Sequence, residues 1–199
     1  SQESTGSKEQ GKGVTPVDRE GLLEWIRSFV VAGAVALFIV TFIARPYVVE
    51  GRSMEPTLHD RDRLIVEKLS YRFGEPQRGD IVVLQSPLEP GRRLIKRIIG
   101  LPGEQISIAM GRVWINGKPL DEPYTDVAVS GFMAPLRIPE GTYFVMGDNR
   151  HPLGSQDSRR FGVVSREALE GRAVFRFWPL TELGLVTVAA TQEVATARE

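Results

Sequence analysis

The sequence predicts a mostly β protein, an antiparallel β-sandwich or barrel-like domain with a small variable insertion, preceded by one N-terminal transmembrane helix. Three observations carry this reading. Residues 46–180 break into short apolar runs with many turns between them, in a chain holding 20 Gly and 13 Pro. Many short strands with dense turn signals point to an antiparallel sandwich or barrel. Ser28 to Ala44 carries no charge and lies between Arg27 and Arg45.

Composition narrows the chemistry first. The 199 residues hold 25 basic and 25 acidic side chains, so no bulk attraction to nucleic acid is expected. There is no cysteine, which excludes disulfides, thiol nucleophiles and thiolate metal sites. The two histidines, His59 and His151, make a His-rich metal site an unlikely design, and no cofactor is expected.

Residues 1–20 are read as a disordered polar tail, rich in Gly, Ser, Lys and Glu. Residues 21–45 are read as the anchor helix. The uncharged stretch 28–44, as a helix, spans about 26 Å against a hydrocarbon core of about 30 Å. Leu22, Leu23, Trp25 and Ile26 can lengthen it, while Arg27 and Arg45 can snorkel. Phe42 and Ile43 precede Ala44, unlike a cleaved signal peptide with its small-residue cleavage site. The segment therefore reads as an uncleaved, membrane-lipid-facing anchor. Residues 1–27 and 45–64 hold equal numbers of Lys and Arg, so charge bias sets no orientation.

The β domain is placed at 46–180. Strands are expected over Arg63 to Leu69, Asp80 to Leu84 and Arg93 to Ile99, the last stopped by Gly100-Leu101-Pro102-Gly103. Gln105 to Ile108 and Arg112 to Ile115 flank Met110-Gly111, and Asn116-Gly117 is a strong hairpin turn. Thr142 to Met146 and Gly171 to Trp178 complete the set. Ser165 to Glu170 reads as the one clear soluble helix, with Ser165 as N-cap. Residues 116–141 read as a small excursion, the variable insertion, and 181–199 as a loosely held tail.

Ser53 lies between the extended run Pro46-Tyr47-Val48-Val49 and a Pro-containing turn, a placement that fixes and exposes a hydroxyl. A serine hydroxyl needs a base to act as a nucleophile. His59 sits in a charged loop. His151 lies near Asp148 and Asp157, so a Ser53-His151-Asp triad stays open. Glu55 stands where a Gly-x-Ser-x-Gly elbow needs its second glycine. Lysine is the other base. Of five lysines against 20 arginines, Lys8 and Lys12 precede the anchor and Lys118 sits in an exposed turn. Lys68 neighbours Glu67 and reads as solvated. Lys96, in Leu94-Ile95-Lys96-Arg97-Ile98-Ile99, shares a strand face with Leu94 and Ile98. An ammonium among apolar neighbours loses hydration and its pKa falls. A third constellation, Met146 to Arg150 followed by Ser155 to Arg159, follows a strand and can orient a site through ion pairs.

Together these residues resemble the type I signal peptidases, the bacterial leader peptidase family of membrane-anchored Ser-Lys serine proteases. Four segments carry the resemblance in order: Ser53-Met54-Glu55-Pro56-Thr57-Leu58; Arg78-Gly79-Asp80-Ile81-Val82-Val83; Lys96-Arg97-Ile98-Ile99-Gly100-Leu101-Pro102-Gly103-Glu104; and Gly147-Asp148-Asn149-Arg150 with Ser155, Asp157, Ser158 and Arg159. The resemblance implies Ser53 as nucleophile and Lys96 as general base. It implies that Ser155 orients the lysine, that Asp157 and Arg159 pair beside it, and that Asp148 supports the site. Val48, Val49, Ile81 and Val83 are candidate substrate-pocket walls. Implied partners are signal-peptide-bearing preproteins, and the implied location is the plasma membrane, single-pass, with the catalytic domain extracytoplasmic. Some members carry a serine two residues before the nucleophile that helps bind the oxyanion; here Gly51 stands there, which leaves more of that task to the Ser53 N–H. Four residues separate Arg150 from Ser155, where the family usually has two. Two other readings compete: a Ser-Lys self-cleaving repressor-type protease, and a non-enzymatic, membrane-tethered β domain that binds peptides.

Overall fold

The computed structural model describes residues 19–42 and 44–186. The polar tail before Arg19 and most of the expected C-terminal tail lie outside the described residues. The chain divides into two units, Ser1–Ile39 and Val40–Glu199.

Most of the helix α1, which runs Arg19–Phe42, lies in the first unit. Its window Gly21–Phe38 has a mean hydropathy of 1.6, and none of it is buried within the protein. Leu23, Trp25, Phe29 and Leu37 are all largely exposed. A helix this apolar, with only Glu24 and Arg27 charged in that window and none of it buried by protein, has the length and composition to cross a membrane. The helix stops two residues short of Ala44, which opens a strand instead of closing the helix.

The second unit holds two antiparallel sheets. The large one uses β1 (Ala44–Val48), β2 (Arg63–Glu67), β3 (Ile81–Gln85), β4 (Arg93–Gly100), β9 (Thr142–Met146), β10 (Val164–Ser165) and β11 (Leu169–Trp178) in the order β1-β2-β11-β3-β4-β9-β10. β12 (Gly184–Leu185) adds onto β11, so residues 184 and 185 are strand-paired at the start of the expected tail. The smaller sheet has the order β7-β6-β5-β8, from β5 (Gln105–Ala109), β6 (Arg112–Ile115), β7 (Lys118–Pro119) and β8 (Met133–Arg137). Neither sheet closes into a barrel.

The strand sequences explain their places. Ile81 and Val83 pack into one apolar cluster with Val49, Met54, Leu58, Leu64 and Ile95; Val82 and Leu84 pack into another with Ile98, Tyr143 and Val145. β3 is covered on both faces, which is why it reads as a continuous apolar run. A third cluster joins the sheets, with Ile99, Phe144 and Met146 of the large one meeting Ile106, Ile108, Val113 and Ile115 of the small one. The Asn116-Gly117 signal is a two-residue hairpin between β6 and β7, both residues at positive φ (51° and 77°).

Residues 116–141 contribute β7 and β8 to the small sheet, and Tyr124 to the third cluster. The exposed side chains of β8 explain its weak patterning. Ser165 to Glu170 is not an α-helix. Only Arg166–Ala168 turns, as 3-10, without a side-chain cap from Ser165, and Leu169 already begins β11. Six residues are too few to sustain a helix against a strand partner, and Leu169 pairs with Leu84. The short helices α2 (Ser70–Phe73) and α3 (Ser158–Phe161) appear instead.

Candidate active site

The turn after β1 carries Ser53. It is tied down on both sides: the Val49 N–H donates to Asp62 O at 2.8 Å, and the Leu58 N–H to Met54 O at 2.9 Å. Met54 and Leu58 are buried in the cluster beneath, so the turn is held by its apolar residues while Ser53 stays partly exposed. At Gly51, φ is +83°, and its N–H donates to Asp60 Oδ1 at 2.7 Å.

Lys96 reaches this serine from β4. Its Nζ lies 2.8 Å from Ser53 Oγ and 2.8 Å from Ile95 O. The residue is only 2% exposed. No carboxylate lies within ion-pair distance of it among the described residues. Burial lowers its pKa from 10.5 to about 8; the charges of Asp157 and Asp148 oppose the shift, and Arg92 adds to it.

The segment from Gly147 to Arg159 closes the site from behind. A Cβ on Gly147 would lie 2.3 Å from Ser53 O and 2.4 Å from Ser155 Oγ, so only glycine fits between these two serines. Ser155 Oγ is buried beside Gly147 and close to Asp157, whose carboxyl it helps hold down; it does not hydrogen-bond Lys96 in this conformation. Asp157 caps α3 by accepting from the Arg159 N–H, and its carboxylate takes two bonds from the Arg159 guanidinium at 2.8 and 2.7 Å. It also accepts from the Gly147 N–H at 3.1 Å. Burial pushes the Asp157 carboxyl up, but Arg159 and the Gly147 N–H outweigh it and hold the group below its usual range.

Asp148 does not face the lysine. It is fully buried and takes a bidentate pair from Arg97, Nε at 2.8 Å and Nη2 at 2.6 Å. Thr57 Oγ1 donates to the same carboxylate at 2.5 Å, and the Arg97 guanidinium stacks 4.0 Å from the Tyr124 ring. Arg97 thereby links β4, the turn of Ser53, the loop after β9 and the segment 116–141. Arg150, also buried, pairs with Glu122 and donates to Gly147 O. The Asn149 N–H donates to Ser53 O at 3.1 Å, and Asn149 Nδ2 to Arg52 O at 2.9 Å. Sequence reasoning assigned no task to Arg97, Thr57, Tyr124, Glu122 or Asn149. The legible sign of the first was a second cation, next to Lys96, in a strand of buried apolar residues.

Neither histidine meets Ser53. His151 Nε2 lies 3.2 Å from Asp126 Oδ2, with half of its side chain exposed, and His59 sits 4.0 Å from Glu182. Lys68 is partly exposed, as read from its neighbours. Of the suggested pocket walls, Val49, Ile81 and Val83 are buried in the cluster below the turn, and Val48 is half exposed at the end of β1. His59, Asp62 and Glu182 cluster closely enough to suggest a metal site, but the Arg176 guanidinium sits between both carboxylates, at 3.0 and 2.7 Å, and already neutralises them.

The chain is similar to known proteins over most of its length. Residues 22–178 match the family model described as signal peptidase, peptidase S26. The chain is 44% identical over 177 residues to a probable signal peptidase I-2 of Synechocystis sp., an alignment covering 86% of this chain and 80% of that one. It is 40% identical over 176 residues to a signal peptidase I of Bacillus licheniformis, covering 83% and 93%. A crystal structure of a signal peptidase I from Enterococcus faecalis aligns with a TM-score of 0.44 and 36% identity, covering 49% of this chain and 96% of that one. The chain belongs to the signal peptidase family, peptidase S26.

Proposed function

We propose that Ser53 and Lys96 are the nucleophile and general base with which this serine endopeptidase removes signal peptides from preproteins. The observation that carries the proposal is the 2.8 Å contact between Ser53 Oγ and a lysine that is buried and unpaired by any carboxylate. Burial favours the free amine, and at pH 7 roughly one Lys96 in ten is then neutral. That amine takes the hydroxyl proton as Ser53 Oγ attacks the scissile carbonyl. The C–N bond breaks as Lys96 hands the proton to the leaving amine. Water, deprotonated by Lys96, then hydrolyses the ester. Asp157, Arg159 and Ser155 support the lysine's surroundings, and Asp148 supports the turn through Arg97 and Thr57.

The substrate would bind extended along β1, which lies at one end of the large sheet and ends in the half-exposed Val48. The family is membrane-associated. In this chain α1 would be the single membrane span, and the β domain would lie on the extracytoplasmic side, where exported substrates arrive.

The test is cleavage of a preprotein by Ser53→Ala and Lys96→Ala variants of the full chain. Both are expected to be inactive while folded. Retained cleavage by either one sinks the pair. The pH–rate profile is expected to rise with pH and level off near pH 8, as Lys96 loses its proton. The repressor-type and peptide-binding readings are not favoured, because the relatives are signal peptidases over most of the chain.

A further inference from the structure

Attack by Ser53 puts negative charge on the scissile carbonyl oxygen, and that charge has to be met by fixed donors. The Ser53 N–H is the backbone donor nearest its own Oγ, and among the described residues no group accepts from it. Its direction is not its own. The Arg52–Ser53 peptide is trans, so the Ser53 N–H and the Arg52 C=O lie in one plane and point opposite ways. Whatever holds the Arg52 carbonyl therefore aims the Ser53 N–H. That restraint matters here because the plane turns about the Arg52 Cα–C and Ser53 N–Cα bonds, and Arg52 is exposed.

Asn149 holds both carbonyls around the nucleophile. Its Nδ2 donates to Arg52 O at 2.9 Å, and its backbone N–H donates to Ser53 O at 3.1 Å. The amide is itself fixed. Its Oδ1 accepts from the His151 N–H at 3.2 Å, and a Cβ on Gly154 would lie 2.2 Å from that oxygen. Turning the amide over would set its oxygen against Arg52 O and its NH2 against the His151 N–H, so the two partners decide its orientation. Asn149 is only 9% exposed, which shields the bond from competing water.

We propose that Asn149 is a positioning residue that presets the oxyanion hole: its side-chain amide locks the Arg52 carbonyl and so aims the Ser53 N–H at the developing negative charge. The proposal rests on Ser53 being the nucleophile. It makes the loop after β9 part of the electrostatic apparatus of the reaction as well as a support for the turn.

The experiment uses the full chain in detergent and a signal-peptide substrate, with Asn149→Asp and Asn149→Ala. Aspartate keeps the size and the acceptor for the His151 N–H but loses the donor toward Arg52 O. Either variant keeps the backbone bond to Ser53 O. The expected result for Asn149→Asp is a fall in kcat of about 30- to 300-fold, near the loss of one oxyanion donor, with KM within about threefold. Asn149→Ala is expected to fall less, and it carries the test alone if the aspartate variant does not fold. In Asn149→Ala the ascending limb of the pH profile is expected to stay where it is in the parent, whereas Asn149→Asp adds a negative charge near Lys96 and is expected to move it to higher pH. A peptide aldehyde gives a second readout. Ser53 Oγ bonds to its carbon, and the Oγ proton passes through Lys96 to the former carbonyl oxygen. Its affinity is expected to drop in step with kcat, while the affinity of the cleaved product peptide holds.

A kcat within about threefold of the parent in both variants overturns the proposal, as does a loss confined to KM or a pH limb displaced in Asn149→Ala. Ser53→Ala separates the two levels. If it is inactive while Asn149→Asp cleaves normally, this inference alone falls. If it cleaves, both fall.

Discussion

Lys96 and Arg97 are neighbours on β4, both buried, at 2% and 0% exposure, yet they end in opposite electrostatic states. Consecutive strand residues leave on opposite faces. On one face Arg97 meets a carboxylate that fits it in two bonds, a carbonyl from Gly79 at 2.9 Å and the face of Tyr124. On the other, Lys96 meets a hydroxyl and one carbonyl, and no countercharge at contact. A cation that is buried and matched remains a cation and acts as a strut. A cation that is buried and unmatched is pushed toward its neutral form and becomes a base. The residue types suit these ends, since guanidinium forks a carboxylate and does not give up its proton, while an amine shifts readily.

The sharpest way to break the contrast is to put the strut's chemistry in the base's place. Lys96→Arg keeps the charge and much of the length, but it cannot be neutral near pH 8. Preprotein cleavage is expected to fall by about four orders of magnitude or more, as far as in Lys96→Ala or Ser53→Ala, because groups that act as one unit fail together. The combined Ser53→Ala/Lys96→Arg variant is expected to be no worse than either alone.

The opposite manipulation removes the match from the strut. Asp148→Asn leaves Arg97 buried without its countercharge, at a cost of about 3–5 kcal/mol, and lowers the melting midpoint by roughly 10 °C. Replacing both partners, Arg97→Met with Asp148→Leu, is expected to recover most of that loss. Calorimetry on the parent and the two variants checks it. A single variant as stable as the parent would show that Asp148 does not hold Arg97 in place.

Lys96 carries a smaller and pH-dependent cost. Its pKa near 8 in the folded protein lies below its ordinary 10.5. Above pH 10.5 the amine is neutral in both states and costs nothing. As pH falls from there to 8, the unfolded chain takes up a proton that the folded chain refuses, so stability declines, and below pH 8 the full penalty applies. Lys96→Met is therefore expected to be the more stable protein at pH 7, by on the order of 3 kcal/mol, and the gap is expected to close as pH rises toward 10.5. Denaturant midpoints at several pH values give the answer. Stability and activity thus pull this residue in opposite directions.

The same contrast explains what was legible in the sequence. Lys96 could be picked out because lysine is scarce here and this one sat among Leu94, Ile95, Ile98 and Ile99. The strands could be read because their apolar runs are bounded by turns. Arg97, equally conspicuous, could not be assigned, because its role depends on Asp148, Thr57 and Tyr124 arriving from three distant segments, and a strand pattern does not say which carboxylate will meet it. Residues 116–141 look weakly patterned because β8 is largely exposed, yet their Glu122 and Tyr124 reach the arginines next to the site. The Ser165–Glu170 helix failed for a related reason: a capping signal and good helix formers in a short stretch gave way to the pairing of Leu169 with β3.

The smallest expected effect tests the histidine alternative. His151 lies in the loop that holds Ser53, and a triad through it was open from sequence. Its side chain, however, is half exposed and points its Nε2 at Asp126, an exposed pair worth well under about 1 kcal/mol. What the site takes from this residue is its backbone N–H, which holds the Asn149 amide. His151→Ala keeps that N–H, so kcat and KM are expected to stay within about twofold of the parent, with the pH limb in place. A triad would lose several orders of magnitude on the same substitution. If the loss is large, the base has been misassigned, and the burial of Lys96 next to Ser53 would need another explanation.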